Sequence, residues 1–342
     1  MRFIKHLKYF IIDLLLKKKK NDFSSPKNEN PVIYLLFVAC GTNMGDHALV
    51  LAEEKYIRNV LGDDCQIVEI TTDLVSSSID ELKKIIRSQD IIAFGAGGYL
   101  GDEYLEVYYP LKKLLRNFRA NKMIILPQTV YFHSKYAERK IMRLIKACKN
   151  LSVFVREEVS RTIFEKYSIN CILVPDMVFT ENQIAHLGGT HDILSCLRND
   201  VECAISFEMR EGINKVLENF GNVVITDTVF ANRFPLEERE KFLQNKLDDF
   251  SKAYLVITDR IHGMIFSYLT NTPCIVLGNY NHKVKSEYKW IEQVENIIFL
   301  DSFDPISFKE TVEVILGKKN NTVKSMENYF LPLQKELLRL YE

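Results

Sequence analysis

Apolar runs of strand length alternate with amphipathic stretches of helical length along most of the chain. Residues 32–40 form a continuous apolar run, and a helix is predicted to follow it over residues 45–61. Further buried strands are predicted at residues 65–71, 90–94, 122–126, 151–155 and 171–174. A second helix is predicted over residues 78–89, where Ser78 and Glu81 have the spacing of a capping box. Continuous apolar strands separated by helices indicate a parallel sheet that is covered on both faces.

A second series of the same kind begins near residue 200. Its predicted strands lie at residues 201–207, 223–226, 254–258, 274–277 and 296–300. Its predicted helices lie at about 235–250, 260–270, 285–293 and 307–317. Two such series predict the α/β class, with two doubly wound, Rossmann-like domains that face a cleft.

The same pattern predicts where the domains begin and end. The N-terminal domain is predicted to cover residues 31–190 and the C-terminal domain residues 191–320. A hinge is expected within residues 183–199, which are rich in Gly, His, Asn and Asp. The last segment, 321–342, is amphipathic and is expected to form a helix that packs back on the body of the protein.

The N-terminal segment has a different character. Residues 1–20 place apolar side chains at helical spacing and end in four lysines, and a polar linker leads from there to residue 31. The apolar run is interrupted by Asp13, so it cannot span a bilayer as roughly 20 apolar residues would. No small-residue cleavage site follows it, which argues against a signal peptide. Two interpretations stay open: peripheral contact with an anionic membrane surface, or docking on the chain's own body or a partner.

Charge and cysteine content then exclude several classes of protein. The 342 residues carry 45 Lys and Arg against 45 Asp and Glu, so general electrostatic binding of nucleic acid has little support. The seven cysteines contain no CxxC pair, which favours reduced thiols in a cytoplasmic protein. The seven histidines form no HxxxH or HExxH motif, so a dedicated metal site is not expected, and no GxSxG elbow is present.

Candidate chemistry in the first series lies where strands end, which is where open α/β sheets bind ligands. The first strand is followed by GTNMGDHAL (41–49), in which Asn43 and Asp46 flank a glycine turn, and the turn alone could be purely structural. The third strand is followed by GAGGYLGDEY (95–104). Four glycines in seven residues suit backbone that approaches a ligand, although a flexible turn is the alternative. In ILPQTV (125–130), Pro127 is expected to end the strand and Gln128 to point its amide into the cleft.

Candidate cations follow strands in both series. Arg156 follows the strand at 151–155 and could bind an anion, although a solvated ion pair is equally ordinary. In TDRIHG (258–263), Arg260 and His262 stand at a helix entrance, where the helix N-terminus also favours an anion. Arg198 precedes the predicted strand at 201–207 and is expected to face the cleft. Lys283 could add one more cation, or could be an ordinary surface lysine.

Taken in order, these strings resemble the polysaccharide pyruvyltransferase family. The resemblance rests on GTNMGDHAL, GAGGYLGD, LPQT, VREEVS, VPDMVF (174–179), LRND and TDRIHG, with Lys283 beyond them. It implies a fold similar to the two-domain GT-B glycosyltransferases. It also implies phosphoenolpyruvate as donor substrate, no further cofactor, and as acceptor a sugar of a surface polysaccharide or of its lipid-linked precursor.

The resemblance also implies roles for individual residues. Arg260 and Arg156 are expected to hold the donor's anionic groups, His262 to contact the phosphate or act as the acid, and Asp46 to act as a base or orient the acceptor hydroxyl. The other expected substrate contacts are Asn43, Gly97, Gly98, Asp102, Gln128, Asp176, Arg198, Asp259, Gly263 and Lys283.

Two other classes of protein remain open at this point. A glycosyltransferase that uses a nucleotide-sugar would share the fold and the glycine turns. A non-catalytic scaffold of glycan assembly is the third interpretation. Retention of Asp46, Arg156, Arg260 and His262 together argues against the scaffold, which needs no such set.

Overall fold

The computed structural model describes residues 29–199, 205–278, 282–318 and 325–342. Within these ranges the chain divides into two compact units. The first unit contains the described residues up to Cys40, together with 49–177 and 327–342, and the second contains 41–48 and 178–326. Each unit has its own hydrophobic core.

The first unit is built on a parallel sheet. Its seven strands are β1 (Val32–Val38), β2 (Gln66–Thr71), β3 (Ile91–Phe94), β4 (Gly97–Gly101), β5 (Lys122–Tyr131), β6 (Leu151–Val155) and β7 (Ile172–Leu173). The order is β2-β1-β3-β5-β6-β7, and β4 pairs with β5 beyond the end of β3. All seven residues of β1 are buried, as a central strand covered on both faces requires. The order reverses between β1 and β3, which makes the carboxyl ends of these two strands the switch point of the sheet.

The helices of this unit follow its strands. They are α1 (Met44–Leu61, whose first turn belongs to the second unit), α2 (Thr72–Ile85), α3 (Leu105–Asn117), α4 (Lys135–Lys146) and α5 (Glu158–Glu165). Helix α2 begins directly after β2, so the capping box predicted at Ser78 is wrong: Ser78 lies inside the helix and donates to the Leu74 carbonyl at 2.8 Å. The prediction that Pro127 ends its strand is also wrong. The register of β5 against β6 shifts between Ile125 and Gln128, and this irregularity admits a residue that has no N–H.

The second unit repeats the plan with five parallel strands. They are β8 (Asp192–Cys196), β9 (Asn222–Ile225), β10 (Leu255–Thr258), β11 (Cys274–Leu277) and β12 (Ile297–Leu300), in the order β12-β11-β10-β8-β9. Its helices are α6 (Phe207–Leu217), α7 (Arg239–Lys252), α8 (Ile261–Leu269), α9 (Lys283–Tyr288) and α10 (Pro305–Leu316). In each sheet the second strand in chain order lies beside the first, and the first lies beside the third: β2-β1-β3 in the first unit and β9-β8-β10 in the second. The switch point of the second sheet therefore lies between β8 and β10. Two Rossmann-like, doubly wound domains are thus confirmed, whereas the cleft between them stays a prediction.

The first strand of the second unit does not lie at residues 201–207, as the apolar pattern predicts. It is β8, at Asp192–Cys196, and it lies inside the segment expected to be a hinge. Residues 200–204 lie outside the described residues, and Phe207 begins helix α6 after Ser206 caps it by accepting from the Met209 amide at 3.2 Å. Consequently Arg198 follows the first strand instead of preceding it.

The limits of the units also differ from the predicted domains. Residues 41–48 belong to the second unit because their backbone bonds to it: the Met44 amide donates to the Thr228 carbonyl at 2.7 Å, and the Phe230 amide to the Thr42 carbonyl at 2.8 Å. Residues 178–190 belong there as well, and the Ile184 amide donates to the Leu269 carbonyl at 2.6 Å.

The chain ends with a 3₁₀ turn, Glu327–Phe330, and helix α11 (Leu331–Tyr341). Both belong to the first unit, where the Tyr56 hydroxyl donates to the Phe330 carbonyl at 3.0 Å and Lys122 Nζ to the Leu340 carbonyl at 2.7 Å. The amphipathic segment 1–20 lies outside the described residues. Across the described part of the chain, every helix falls short of the length and apolar character needed to cross a membrane.

Candidate functional site

The segment TDRIHG joins the end of β10 to the start of α8, and its Thr and Gly fix that turn. The Thr258 hydroxyl donates to the Cys196 carbonyl at 2.9 Å and accepts from the Arg260 amide at 3.1 Å. A Cβ on Gly263 would lie only 3.0 Å from the Thr258 Cβ and would overlap its hydroxyl. Gly263 is therefore needed for the close approach of α8 to β10, a packing role, whereas the sequence analysis took it as a substrate contact.

Asp259 connects the two strands at the switch point of the second sheet. Its Oδ1 accepts from the Arg198 amide, just beyond the end of β8, at 2.8 Å. The side chain is fully buried, and burial raises the pKa of its carboxyl. Oδ2 has no hydrogen-bond partner among the described residues. Asp259 thus holds the backbone from which the half-buried Arg198 side chain projects.

The guanidinium of Arg260 is held by a residue that the sequence analysis missed. Asp227, in the loop after β9, forms an ion pair with Arg260, with 2.6 Å between Nε and Oδ1, and accepts from Nη2 at 2.8 Å. Asp227 is in turn fixed by the Val229 amide, which donates to Oδ1 at 3.0 Å. This two-point contact sets the plane of the guanidinium at the entrance to α8. An acidic residue in a polar loop gives no sequence signal of such a role.

His262 lies against the backbone of the first turn of α1. A Cβ on Gly45 would be 2.8 Å from the His262 Cβ and would overlap the imidazole ring. The ring is 8% exposed. Asn43 supports this turn because its Oδ1 accepts from the Gly45 amide at 3.2 Å and from the Thr228 hydroxyl at 3.3 Å. Gly45 thus makes room for the histidine that was predicted to contact the donor's phosphate or act as the acid.

Two neighbours of Gly45 differ in their surroundings. Asp46 is exposed on the first turn of α1. His47 is fully buried; its Nε2 lies 3.1 Å from the Gly41 carbonyl oxygen, and its ring is centred 4.6 Å from that of Phe234. Phe234 belongs to an aromatic cluster that also contains Phe230 and Phe242. Asn43, Asp46, Arg198, Asp259, Arg260, His262 and Gly263 therefore all belong to the second unit.

Arg156 and Asp176 form a buried ion pair in the first unit. The Arg156 Nη1 lies 2.5 Å from Asp176 Oδ2, and its Nε donates to the Thr129 hydroxyl at 2.8 Å. The two charged side chains are 4% and 0% exposed. The alternative considered from the sequence, that Arg156 forms a solvated ion pair, is wrong because both side chains of the pair are buried. A buried guanidinium requires such a counter-charge, and Asp176 supplies it.

The glycine segment after β3 is more ordered than the sequence suggested. Residues 97–101 form strand β4, and Gly97 has a φ of +135°, a conformation that favours glycine. Gly101 is needed because a Cβ there would lie 2.8 Å from the Tyr131 carbonyl carbon of β5. Gln128 is fully buried and donates to the Gly95 carbonyl, so the expectation that its amide points into a cleft is wrong. Gly98 is half-buried within β4.

Glu53, on helix α1, is the most unusual group that the sequence analysis missed. It is 1% exposed, and one carboxyl oxygen accepts from the Ala96 amide. Burial raises the pKa of this carboxyl to about 8. A signal was present: Glu53 stands four residues after Leu49 and four before Ile57, on the apolar stripe of the helix.

Two predicted substrate contacts have other surroundings. Asp102 accepts from the amides of His133 and Ser134, at 2.6 and 3.0 Å, and so holds the chain at the start of α4. Lys283 is the first residue of α9 and is half-buried, and residues 279–281 before it lie outside the described ranges. Among the described residues, no group of three or more His, Cys, Asp or Glu side chains is arranged to hold a metal ion.

Comparison with known proteins identifies the family of the chain. The family model "Polysaccharide pyruvyl transferase" matches residues 43–282. The chain is 31% identical over 314 residues to "General stress protein 30" of Bacillus subtilis (strain 168), with 90% of this chain and 91% of that protein covered. It is 27% identical over 266 residues to "Pyruvyl transferase 1" of Schizosaccharomyces pombe, with 69% of this chain and 63% of that protein covered.

A solved structure supports the fold alone. The UDP-GlcNAc 2-epimerase from Methanocaldococcus jannaschii superimposes with a TM-score of 0.50 at 12% identity, covering 89% of this chain and 99% of that chain. The family match spans the first turn of α1, the glycine segment and TDRIHG. The chain therefore belongs to the polysaccharide pyruvyl transferase family and is a transferase.

Proposed function

We propose that the protein transfers the pyruvyl group of phosphoenolpyruvate to two hydroxyls of one sugar in a surface polysaccharide or its lipid-linked precursor. The product is a pyruvate ketal, and inorganic phosphate is released. The observation that carries this proposal is the arrangement at the start of α8, where Arg260 is held by Asp227 and His262 lies on Gly45. That arrangement supplies a fixed cation, a titratable imidazole and a helix N-terminus within one segment.

Phosphoenolpyruvate carries a carboxylate and a phosphate, so its site needs several donors. The first N–H groups of helix α8 have no acceptor within the helix, and the helix dipole adds partial positive charge at this end. Arg260 and Arg198 add two guanidinium groups at the ends of the adjacent strands β10 and β8. Because strand ends at a switch point are where such sheets bind ligands, we place the donor here.

The transfer requires one proton to be delivered and two to be removed. Protonation of the donor's methylene carbon gives a methyl group and an oxocarbenium-like carbon, which the first sugar hydroxyl attacks. The bond to phosphate then breaks, and the second hydroxyl attacks the same carbon. We assign the first proton to His262, because histidine is the side chain that most often transfers protons near neutral pH. One hydroxyl proton restores His262, and the other leaves with phosphate.

Asp46 is our candidate for orienting or deprotonating the acceptor. It is exposed on the turn that contacts His262 through Gly45, so an acceptor can reach it without displacing buried side chains. Arg156 lies in the first unit, whereas Arg260 and Arg198 lie in the second, at the ends of the adjacent strands β10 and β8. We therefore assign donor binding to Arg260 and Arg198 first and keep Arg156 as a predicted contact.

The test is incubation of the full-length protein with phosphoenolpyruvate and a panel of synthetic and lipid-linked glycosides. Phosphate release together with an acceptor mass gain that matches a pyruvyl ketal is the expected result. Binding of phosphoenolpyruvate is measured in parallel by calorimetry, with a nucleoside diphosphate as the comparison ligand. Saturable binding of the nucleotide, with no phosphate release across the panel, would overturn the proposal in favour of a nucleotide-sugar glycosyltransferase.

A further inference from the structure

The backbone between β3 and β4 is held by three side chains, of which Glu53 and Gln128 are fully buried and Tyr99 is partly buried. The Gly95 carbonyl accepts from the Tyr99 hydroxyl and from the Gln128 amide. The next amide, that of Ala96, donates to Glu53. The Gly95 amide donates to the Leu36 carbonyl of β1 at 3.0 Å, whereas the Gly95 carbonyl and the Ala96 amide are held by these side chains from α1, β4 and β5.

We propose that Glu53 is a positioning residue that acts as a neutral carboxylic acid and holds the substrate-binding glycines Gly97 and Gly98 in place through Ala96. The proposal rests on the proposed function in one respect only, namely that Gly97 and Gly98 contact the substrate. It concerns a residue of helix α1 that touches no predicted substrate group and acts through the backbone.

The surroundings of Glu53 call for a proton on its second oxygen. Leu36 O, Glu53 Oε2 and Tyr99 Oη lie 3.3, 3.4 and 3.6 Å from the point that a Cβ on Gly95 would occupy. Three oxygens thus surround one glycine, and Oε2 has no hydrogen-bond partner among the described residues. If Glu53 were ionised, its Oε2 would be buried without a hydrogen-bond donor, which costs free energy. If Glu53 is a neutral carboxylic acid with the proton on Oε2, that oxygen can donate to a neighbouring oxygen.

The charged groups around Glu53 favour the same state. Asp176, which follows β7, Glu69 of β2 and Glu54 of α1 all raise its pKa by their negative charge, and burial raises it most. Arg156 is paired with Asp176. Tyr99 of β4 faces Glu53 as well, and burial and the Glu53 charge raise the pKa of its hydroxyl. The hydrogen bond from the Ala96 amide lowers the pKa of Glu53, but burial raises that pKa by more.

The glycines depend on this anchor because they follow it directly. Gly97 has a φ of +135°, so the chain turns sharply one residue after the Ala96 amide is held. Phe37 of β1 also has a positive φ, +65°, and its ring packs against Tyr99 with centroids 5.6 Å apart. Ionisation of Glu53 would place a negative charge beside the Leu36 carbonyl and Tyr99 hydroxyl oxygens, and their repulsion would displace the side chain that holds Ala96, and with it Gly97 and Gly98.

The first experiment measures thermal unfolding of the full-length protein from pH 5 to pH 9, for the natural protein, Glu53→Gln and the control Glu54→Gln. A pKa that is higher in the folded state, about 8, than the unfolded value of 4.5 contributes stability at low pH and loses it as pH rises between those values. The Tm of the natural protein should therefore fall across this window relative to that of Glu53→Gln, whose amide cannot ionise. Glu54→Gln should follow the natural protein.

Parallel curves for the natural protein and Glu53→Gln would overturn the proposal, because they would mean that Glu53 carries no extra proton in the folded state. This outcome is independent of any assay of transfer. If the natural protein forms no ketal with any acceptor, the proposed function fails while the unfolding curves still decide the state of Glu53.

The second experiment separates positioning from simple structural support. Glu53→Gln should keep transfer at pH 7. Between pH 7 and pH 9 the natural protein should lose about tenfold more in kcat/KM than Glu53→Gln through ionisation of this single group, because any loss from the general acid is common to both proteins. Glu53→Ala should be impaired at every pH, and if it fails to fold, the comparison of Gln with Glu stands alone. Identical alkaline limbs for Glu53→Gln and the natural protein would refute the positioning role.

Discussion

The two units share a strand order but use the polar residues beside their strands differently. In the first unit, Glu53, Gln128, Arg156 and Asp176 are enclosed and bond to backbone or to one another. In the second unit, Arg198, Arg260 and His262 follow the ends of β8 and β10 at the switch point. Arg260 and His262 are buried as well, but they are accompanied by the half-buried Arg198 and the exposed Asp46. The comparison indicates that one topology can place polar groups either to shape the backbone or, on our proposal, to meet a ligand.

The largest effect is expected from removing the groups that meet the ligand in the second unit. His262→Ala and Arg260→Ala should each lower kcat/KM by about 10³-fold, because proton transfer or the fixed cation is lost. Steady-state phosphate release measures the effect, and circular dichroism checks that the fold is kept. His133→Ala, on the first unit's surface, is the matched control and should behave like the natural protein. Near-normal turnover in both His262→Ala and Arg260→Ala would contradict the ligand-binding role assigned to these residues of the second unit.

The next largest effect is expected at Gly45. Gly45→Ala places a methyl group where the imidazole of His262 lies, so the ring must move, and a misplacement of about 1 Å can cost about 10²-fold in rate. Gly41→Ala is the control from the same loop, because a Cβ at Gly41 meets no atom within 4 Å. Comparing kcat for the two variants isolates the position of His262. Equal kcat values for Gly45→Ala and Gly41→Ala would show that the His262–Gly45 contact does not matter for transfer.

A smaller effect, on stability, is expected at Asp102. Asp102→Ala leaves the His133 and Ser134 amides without their acceptor, which should lower the free energy of unfolding by about 1 kcal/mol. Urea denaturation measures this change. A higher KM for phosphoenolpyruvate at unchanged stability would instead support the substrate contact indicated by the sequence, and would move Asp102 to the ligand-binding group of the comparison.

The smallest effect on turnover is expected from residues 1–20, which lie outside the described part of the chain. Deletion of residues 1–20 should leave kcat with a soluble glycoside unchanged, because the predicted reaction groups lie elsewhere. Sedimentation with vesicles that contain anionic lipid should fall if the basic segment contacts membranes. Equal sedimentation of the full-length and shortened proteins would favour docking on the body or on a partner.

Much of the fold could be predicted because buried parallel strands are continuous apolar runs. Strands β6 and β11 lie at the predicted residues. Strand β8 was missed because its apolar core is short and stands among Gly, His, Asn and Asp, which resemble a loop. The apolar residues at 201–207 looked more like a strand, although Phe207 starts a helix and is exposed.

The candidate site was predictable in its residues more than in their roles. TDRIHG stands out because Asp, Arg, His and Gly rarely follow a buried strand without a reason, but the sequence could not show that Asp227 holds Arg260. Gly45 was predicted to lie in a turn that could be purely structural, and the structure shows that its lack of a side chain leaves space for His262. Glu53 was missed because its importance comes from burial against Ala96, a contact between residues far apart in sequence.

The membership of residues 41–48 in the second unit has a consequence for recombination between relatives. A chimera joined at Met177 would take everything before the join, including Gly45 of the second unit, from one parent and His262 from the other. Because the ring of His262 occupies the space of a side chain at position 45, the two positions must be inherited together. The exchangeable module is therefore discontinuous in the gene, and a functional swap of the second unit must carry the short stretch at 41–48 with it.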